Sequence, residues 1–118
     1  MSFSQPDFTI KMNDTLPNLQ LSVFDKGCLG QKRYFNLTGV TGVTFSMVDQ
    51  FGNYKISGKQ ATIMSLTGGT IQYSWSDDDT TTSGNFKAEF QLYYSDGKRL
   101  TIPQGAPINI KIFTEIVI

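Results

Sequence analysis

The 118-residue chain carries ten Lys plus Arg against ten Asp plus Glu, one cysteine and no histidine. That length closes one hydrophobic core and not two, so a single domain over residues 1–118 is expected. A net charge of zero supplies no long-range field toward nucleic acid or anionic lipid, and neither is expected as a partner.

Lack of histidine removes the commonest general base, the Ser-His and Cys-His nucleophile pairs and imidazole metal ligands together. No catalytic residue, metal or cofactor is expected. Cys28 has no second cysteine to pair with, so the fold does not depend on an oxidising compartment and folding in a cytosol is expected. The N-terminus shows no basic segment ahead of an apolar run, and no stretch is apolar for long enough to span a membrane as a helix.

In chain order, Phe8, Ile10 and Met12 alternate with polar residues, and after a break at Asn13, Asp14 and Thr15 the alternation resumes at Leu19, Leu21 and Val23. A period of two predicts half-buried strands. Asp25, Lys26 and Gly27 read as a turn, and residues 28–36 as a loop made locally basic by Lys32 and Arg33. Val43, Phe45 and Met47 form the next strand, the segment Gln50, Phe51, Gly52 and Asn53 a tight hairpin, and Tyr54 and Ile56 the return. A short strand holds Ala61, Ile63 and Leu66, and Thr67, Gly68 and Gly69 turn the chain into its central stretch.

That stretch, residues 70–94, reads strand, corner, strand: Ile71, Tyr73 and Trp75 alternate, residues 77–85 contain no apolar side chain, and Phe86, Ala88, Phe90, Leu92 and Tyr94 alternate again. Ser95, Asp96, Gly97 and Lys98 carry an Asp-Gly hairpin signal. Pro103 and Pro107 then mark a sheet edge or a bend, because proline cannot donate to a ladder. Ile108, Ile110 and Ile112 give a last strand with residues 114–118 as its apolar end. Eight or nine short strands without a helical period predict an all-β antiparallel sandwich.

Few motifs could carry chemistry. Asp77, Asp78 and Asp79 are the densest charge, yet they lack the spaced ligands and distal glutamate of a calcium loop. Aspartates in turns bond nearby backbone groups, and Asp79 is the residue expected to hold the corner closed. Ser57 with Lys59 makes a nucleophile pair on paper with nothing beside it, and the two glycosylation sequons at Asn13 and Asn36 carry no weight without a secretory signal. Trp75 and Tyr73 share the parity of Ile71, so one core face accounts for both; Tyr93 has the parity opposite to Phe90 and Tyr94 and is the aromatic expected outside.

Taken in order, Leu37-Thr38-Gly39 before the Val43 strand, Gly69 then Tyr73 and Trp75, and the Asp79-Thr80 corner with Gly84 and Phe86 form a pattern that continues through Glu89-Phe90, Asp96-Gly97-Lys98 and Pro103. It covers almost the whole chain and resembles the N-terminal domain of phage baseplate upper proteins. The resemblance implies an immunoglobulin-like β-sandwich, structural and non-enzymatic, that attaches receptor-binding apparatus to a tailed-phage virion. The corner also resembles that of immunoglobulin domains, with Gly84, Phe86 and Ala88 in the Gly/Ala, Tyr and Cys places. Phe86 has no hydroxyl for a tyrosine corner and Ala88 makes no disulfide, so packing alone must stabilise the sandwich.

Family members continue into a long receptor-binding segment, whereas this sequence stops at Ile118, which fits either a fragment or a small accessory protein. The function expected is a virion component, made in the bacterial host cytoplasm, at the baseplate, tail fibre or neck. Its partners are other virion proteins, in symmetric copies or as a homo-oligomer. A capsid decoration protein and a carbohydrate-binding module using Tyr93 and the 77–79 loop are the alternatives. Contact residues expected are Ile116, Val117 and Ile118, whose apolar strand end is open to pairing, with Tyr93 and the Gln31, Lys32 and Arg33 loop.

Overall fold

A computed structural model describes residues 7–22, 24–26, 32–34, 37–103 and 106–114, with 24–26 and 32–34 described by their backbone alone. The strands are β1 (Phe8–Lys11), β2 (Leu19–Ser22), β3 (Phe24–Lys26), β4 (Lys32–Tyr34), β5 (Val40–Asp49), β6 (Tyr54–Gln60), β7 (Thr62–Ser65), β8 (Thr70–Tyr73), β9 (Gly84–Tyr94), β10 (Arg99–Ile102) and β11 (Ile108–Phe113). The first sheet runs β1-β11-β9-β5-β6 with β10 also on β9, and the second runs β2-β8-β7. These nine strands form the all-β sandwich. The ribbon β3-β4 stands apart, so residues 25–26 and 32–34 pair where a turn and a loop were expected. Three-residue strands are too short to show a period, and main-chain pairing satisfies their N–H and C=O groups whatever the side chains are.

The spine is β9. β5 lies along one side of it from Val40↔Tyr94 to Asp49↔Phe86. On its other side β10 pairs with residues 90–93 and β11 with residues 84–88, so the two behave as one returning strand interrupted at the proline-bracketed segment. The chain bends at Pro103 and rejoins the sheet at Ile108, which is the bend expected from two residues without N–H donors. Gly52 (φ 85) and Gly97 (φ 89) sit at the hairpin tips in the left-handed region that glycine adopts without steric cost.

One pair departs from the antiparallel expectation: β1 lies parallel to β11, from Phe8↔Ile110 to Lys11↔Phe113. Alternation reports which side of a strand is buried and carries nothing about its direction. The central stretch keeps its strand, corner, strand order. β8 belongs to the second sheet and β9 to the first, so residues 74–83 cross between the layers.

Inward residues of both sheets meet in one core that includes Leu37, Phe45, Met47, Ile56, Ile71, Tyr73, Trp75, Phe90, Leu92, Ile110 and Ile112. Phe45 of β5 stacks on Tyr73 of β8 with ring centroids 4.3 Å apart, meets Trp75 edge-on at 5.8 Å, and leans on Phe90 at 4.9 Å. It is fully buried. Replacing Phe45 by alanine is expected to cost about 3–5 kcal/mol, read from urea unfolding. A loss under about 1 kcal/mol would mean that the aromatic cluster does not join the layers.

Candidate functional site

Residues 74–83 cross from β8 to β9 and are fastened by one carboxylate. Asp79 is 1% exposed. Its Oδ2 accepts from the Tyr73 hydroxyl at 2.5 Å and the Ser76 N–H at 2.7 Å, and its Oδ1 from Lys59 Nζ at 2.8 Å. The next two residues tie the corner outward. Thr80, fully buried, donates to the Asp14 carbonyl and accepts from the Asn13 N–H through its own carbonyl, while Thr81 accepts from Lys55 Nζ at 2.7 Å. Lys55 and Lys59 both come from β6, so the corner is strapped to that edge strand.

Burial alone would raise the Asp79 pKa, but the donors Lys59, Tyr73 and Ser76 outweigh it and hold the carboxyl below its usual range. Burial, then the hydrogen bond and negative charge of Asp79, push the Tyr73 hydroxyl well above its usual range. A carboxylate whose oxygens are taken by three donors and a phenol held protonated act as a fastener. Lys59 Nζ is engaged by Asp79 Oδ1 at 2.8 Å, and no hydrogen bond joins it to Ser57 among the described residues. Asp77 and Asp78 are exposed while Asp79 turns inward, so the three carboxylates do not converge. The corner-closing role expected of Asp79 is the one observed.

The expected contact residues are distributed otherwise. Gln31, Ile116, Val117 and Ile118 lie outside the described residues, and Lys32 and Arg33 lie on β4, in the ribbon. Tyr93 is half-buried on β9, its hydroxyl donating to Gln91 Oε1 at 2.8 Å, so parity overstated its exposure. The bulge between Val40 and Gly42 beside it lets the Thr41 hydroxyl donate to the Tyr93 carbonyl. Phe51 (79% exposed) and Tyr54 (67%) are the aromatics most open to solvent among the described residues. They sit at the opposite end of β5 from Tyr93.

Sequence reasoning took the Phe51 hairpin as a turn only. Asp49 stiffens it: Oδ1 accepts from the Phe51 and Asn53 N–H groups, each at 2.9 Å. The Asn53 backbone bond leads the donors that hold the Asp49 carboxyl below its usual range. An aspartate two residues before an exposed phenylalanine in a Gly-Asn turn was the available signal. Between hairpin and corner lies a groove of about 390 Å³ that includes Phe51, Thr82 and Ser83. Through Gln50, Asn85 and Phe86 it borders a second, of about 670 Å³, over β9 and β11.

The molecule is an all-β sandwich whose buried polar groups close a corner and whose most exposed aromatics flank a stiffened hairpin. Its family is shown by sequence: the BppU N-terminal domain matches residues 7–104, and the chain belongs to this family of phage baseplate upper protein domains. It is thus a structural domain of the phage baseplate. No curated protein matches the chain. Among solved structures, CopC from Methylosinus trichosporium OB3b is similar in fold, with 10% identity, 97% of this chain and 90% of that chain covered, and a TM-score of 0.54.

The Asp79 fastener has a pH signature. Its folded-state pKa lies below the unfolded value of about 3.9, so its stabilisation is complete above that value and is lost as pH falls through the folded-state pKa. Asp79→Ala strands the Tyr73 hydroxyl and Ser76 N–H, while Lys59, nearly half exposed, returns to water. A loss of about 1–3 kcal/mol at pH 7 is expected. Melting curves of the variant should also fall less steeply between about pH 5 and pH 2 than those of the wild type. Equal acid sensitivity in both would assign the acid effect to other carboxylates.

Proposed function

We propose that this chain is an attachment module of a tailed-phage virion, joining other virion proteins at the baseplate, tail fibre or neck and acting without catalysis. It works as one domain over residues 1–118, made in the host cytoplasm and carried on the particle. The family match over residues 7–104 is the observation that carries this reading. A buried polar cluster spent on closing a corner, and the lack of a histidine, support its non-enzymatic part. Contacts run through loops and sheet edges, with Ile116, Val117 and Ile118, Tyr93, and Gln31, Lys32 and Arg33 as contributors. The module is present in several symmetric copies.

Mass spectrometry of gradient-purified virions is expected to find the chain at a fixed ratio to the baseplate proteins. Its absence from infectious particles would end this reading. Light scattering at micromolar concentration is expected to give a defined oligomer, and deletion of Ile116, Val117 and Ile118 a folded monomer. A wild-type monomer would reassign the module to hetero-contacts alone.

A further inference from the structure

Phe51, at the tip of the β5-β6 hairpin, and Tyr54, the first residue of β6, are 79% and 67% exposed. A single apolar side chain in water is ordinary; these two line one groove of about 390 Å³. The hairpin is ordered before any ligand arrives. The Asp49 N–H donates to the Asn53 carbonyl, the Gly52 N–H donates to the Asp49 carbonyl, and Asp49 Oδ1 accepts from the Phe51 and Asn53 N–H groups. Order that is already in place lowers the entropic cost of binding.

Around the two rings the lining is polar. Gln50, Thr82, Ser83 and Asn85 are exposed, and their side chains bond no other described residue. Each of them both donates and accepts hydrogen bonds. Asp49 Oδ2 reaches only the Asn53 carboxamide among the described residues, at 3.5 Å, a length that leaves it open as an acceptor. Asp49 and Lys55 are the charged residues of the lining, so its formal charge sums to zero and the groove itself selects neither an anion nor a cation.

We propose that this groove binds a neutral saccharide. The C–H face of a sugar ring lies against an exposed aromatic, and its hydroxyls, which donate and accept at once, meet the carboxamides and hydroxyls of the lining. Asp49 Oδ2 accepts from one of them. A protein contact is favoured by a continuous apolar centre, whereas every lining residue except Gly84 and the aromatics Phe51, Tyr54 and Phe86 is polar. This is not the Tyr93 site weighed from sequence, since Tyr93 lies at the opposite end of β5 with its hydroxyl bonded to Gln91. The proposal goes beyond the attachment reading and does not depend on it.

The test records amide NMR spectra of the isotope-labelled full chain while glucose, galactose, rhamnose or N-acetylglucosamine is added, with inorganic phosphate as the anionic comparison. At least one sugar is expected to shift the Phe51, Gly52, Asn53, Thr82 and Ser83 amides saturably, with a Kd of about millimolar order. F51A/Y54A, altered at exposed positions and melting as the wild type does, is expected to bind at least about tenfold more weakly. Y93A should bind as the wild type does. No response to any of these sugars overturns the proposal, as does unchanged binding by F51A/Y54A or a response to phosphate alone. Loss of F51A/Y54A from purified virions, with no sugar response in the wild type, overturns it in favour of a protein contact and leaves the attachment reading standing. Absence of the wild-type chain from virions, with the sugar response intact, removes the attachment reading and supports the saccharide site.

Discussion

The sandwich depends on Tyr73, the residue where its two layers are joined twice. Its ring stacks on Phe45 of the facing sheet, and its hydroxyl reaches Asp79 beneath the corner. Aromatic stacking and area burial favour the ring in the core, but they leave a phenolic donor that must find a partner there. Asp79 is that partner, and its own charge is tolerable only because Lys59 and the Ser76 N–H share it. The layers, the crossover and the edge strand β6 are thus coupled through one chain of contacts.

That coupling also manages an exposed edge. β6 pairs with β5 alone, and a free edge invites pairing with another chain. Two register shifts interrupt its ladder, Gly58 takes a positive φ of 63°, and the Gly58 N–H is spent on the Ser46 hydroxyl. Lys55 and Lys59 reach from it to Thr81 and Asp79. The opposite edge, β1, has four residues.

The chain belongs to a family of phage baseplate upper protein domains. The buried Asp79 and Thr80 serve the corner, and the exposed large side chains Leu16, Phe51, Tyr54, Met64, Leu66 and Phe113 are spread over several loops and strands. The likeness to CopC at 10% identity shows how little of such a sandwich depends on particular residues. What differs between sandwiches is the outer face and the loops, where the packing constraint is absent.

The sequence by itself determined the all-β class, most strand positions, the two glycine hairpins, the proline bend and the corner role of Asp79. Each is local: a period of two, a positive φ or a missing N–H is written within a few residues. Alternation could not tell that β1 runs parallel to β11, that β8 and β9 lie in different layers, or that Tyr93 is half-covered. The partner of Asp79 is Lys59, twenty positions away, and β1 pairs with β11 about a hundred residues later in the chain. Only tertiary structure decided these, because strand register and layer crossing bring together residues that no local pattern links.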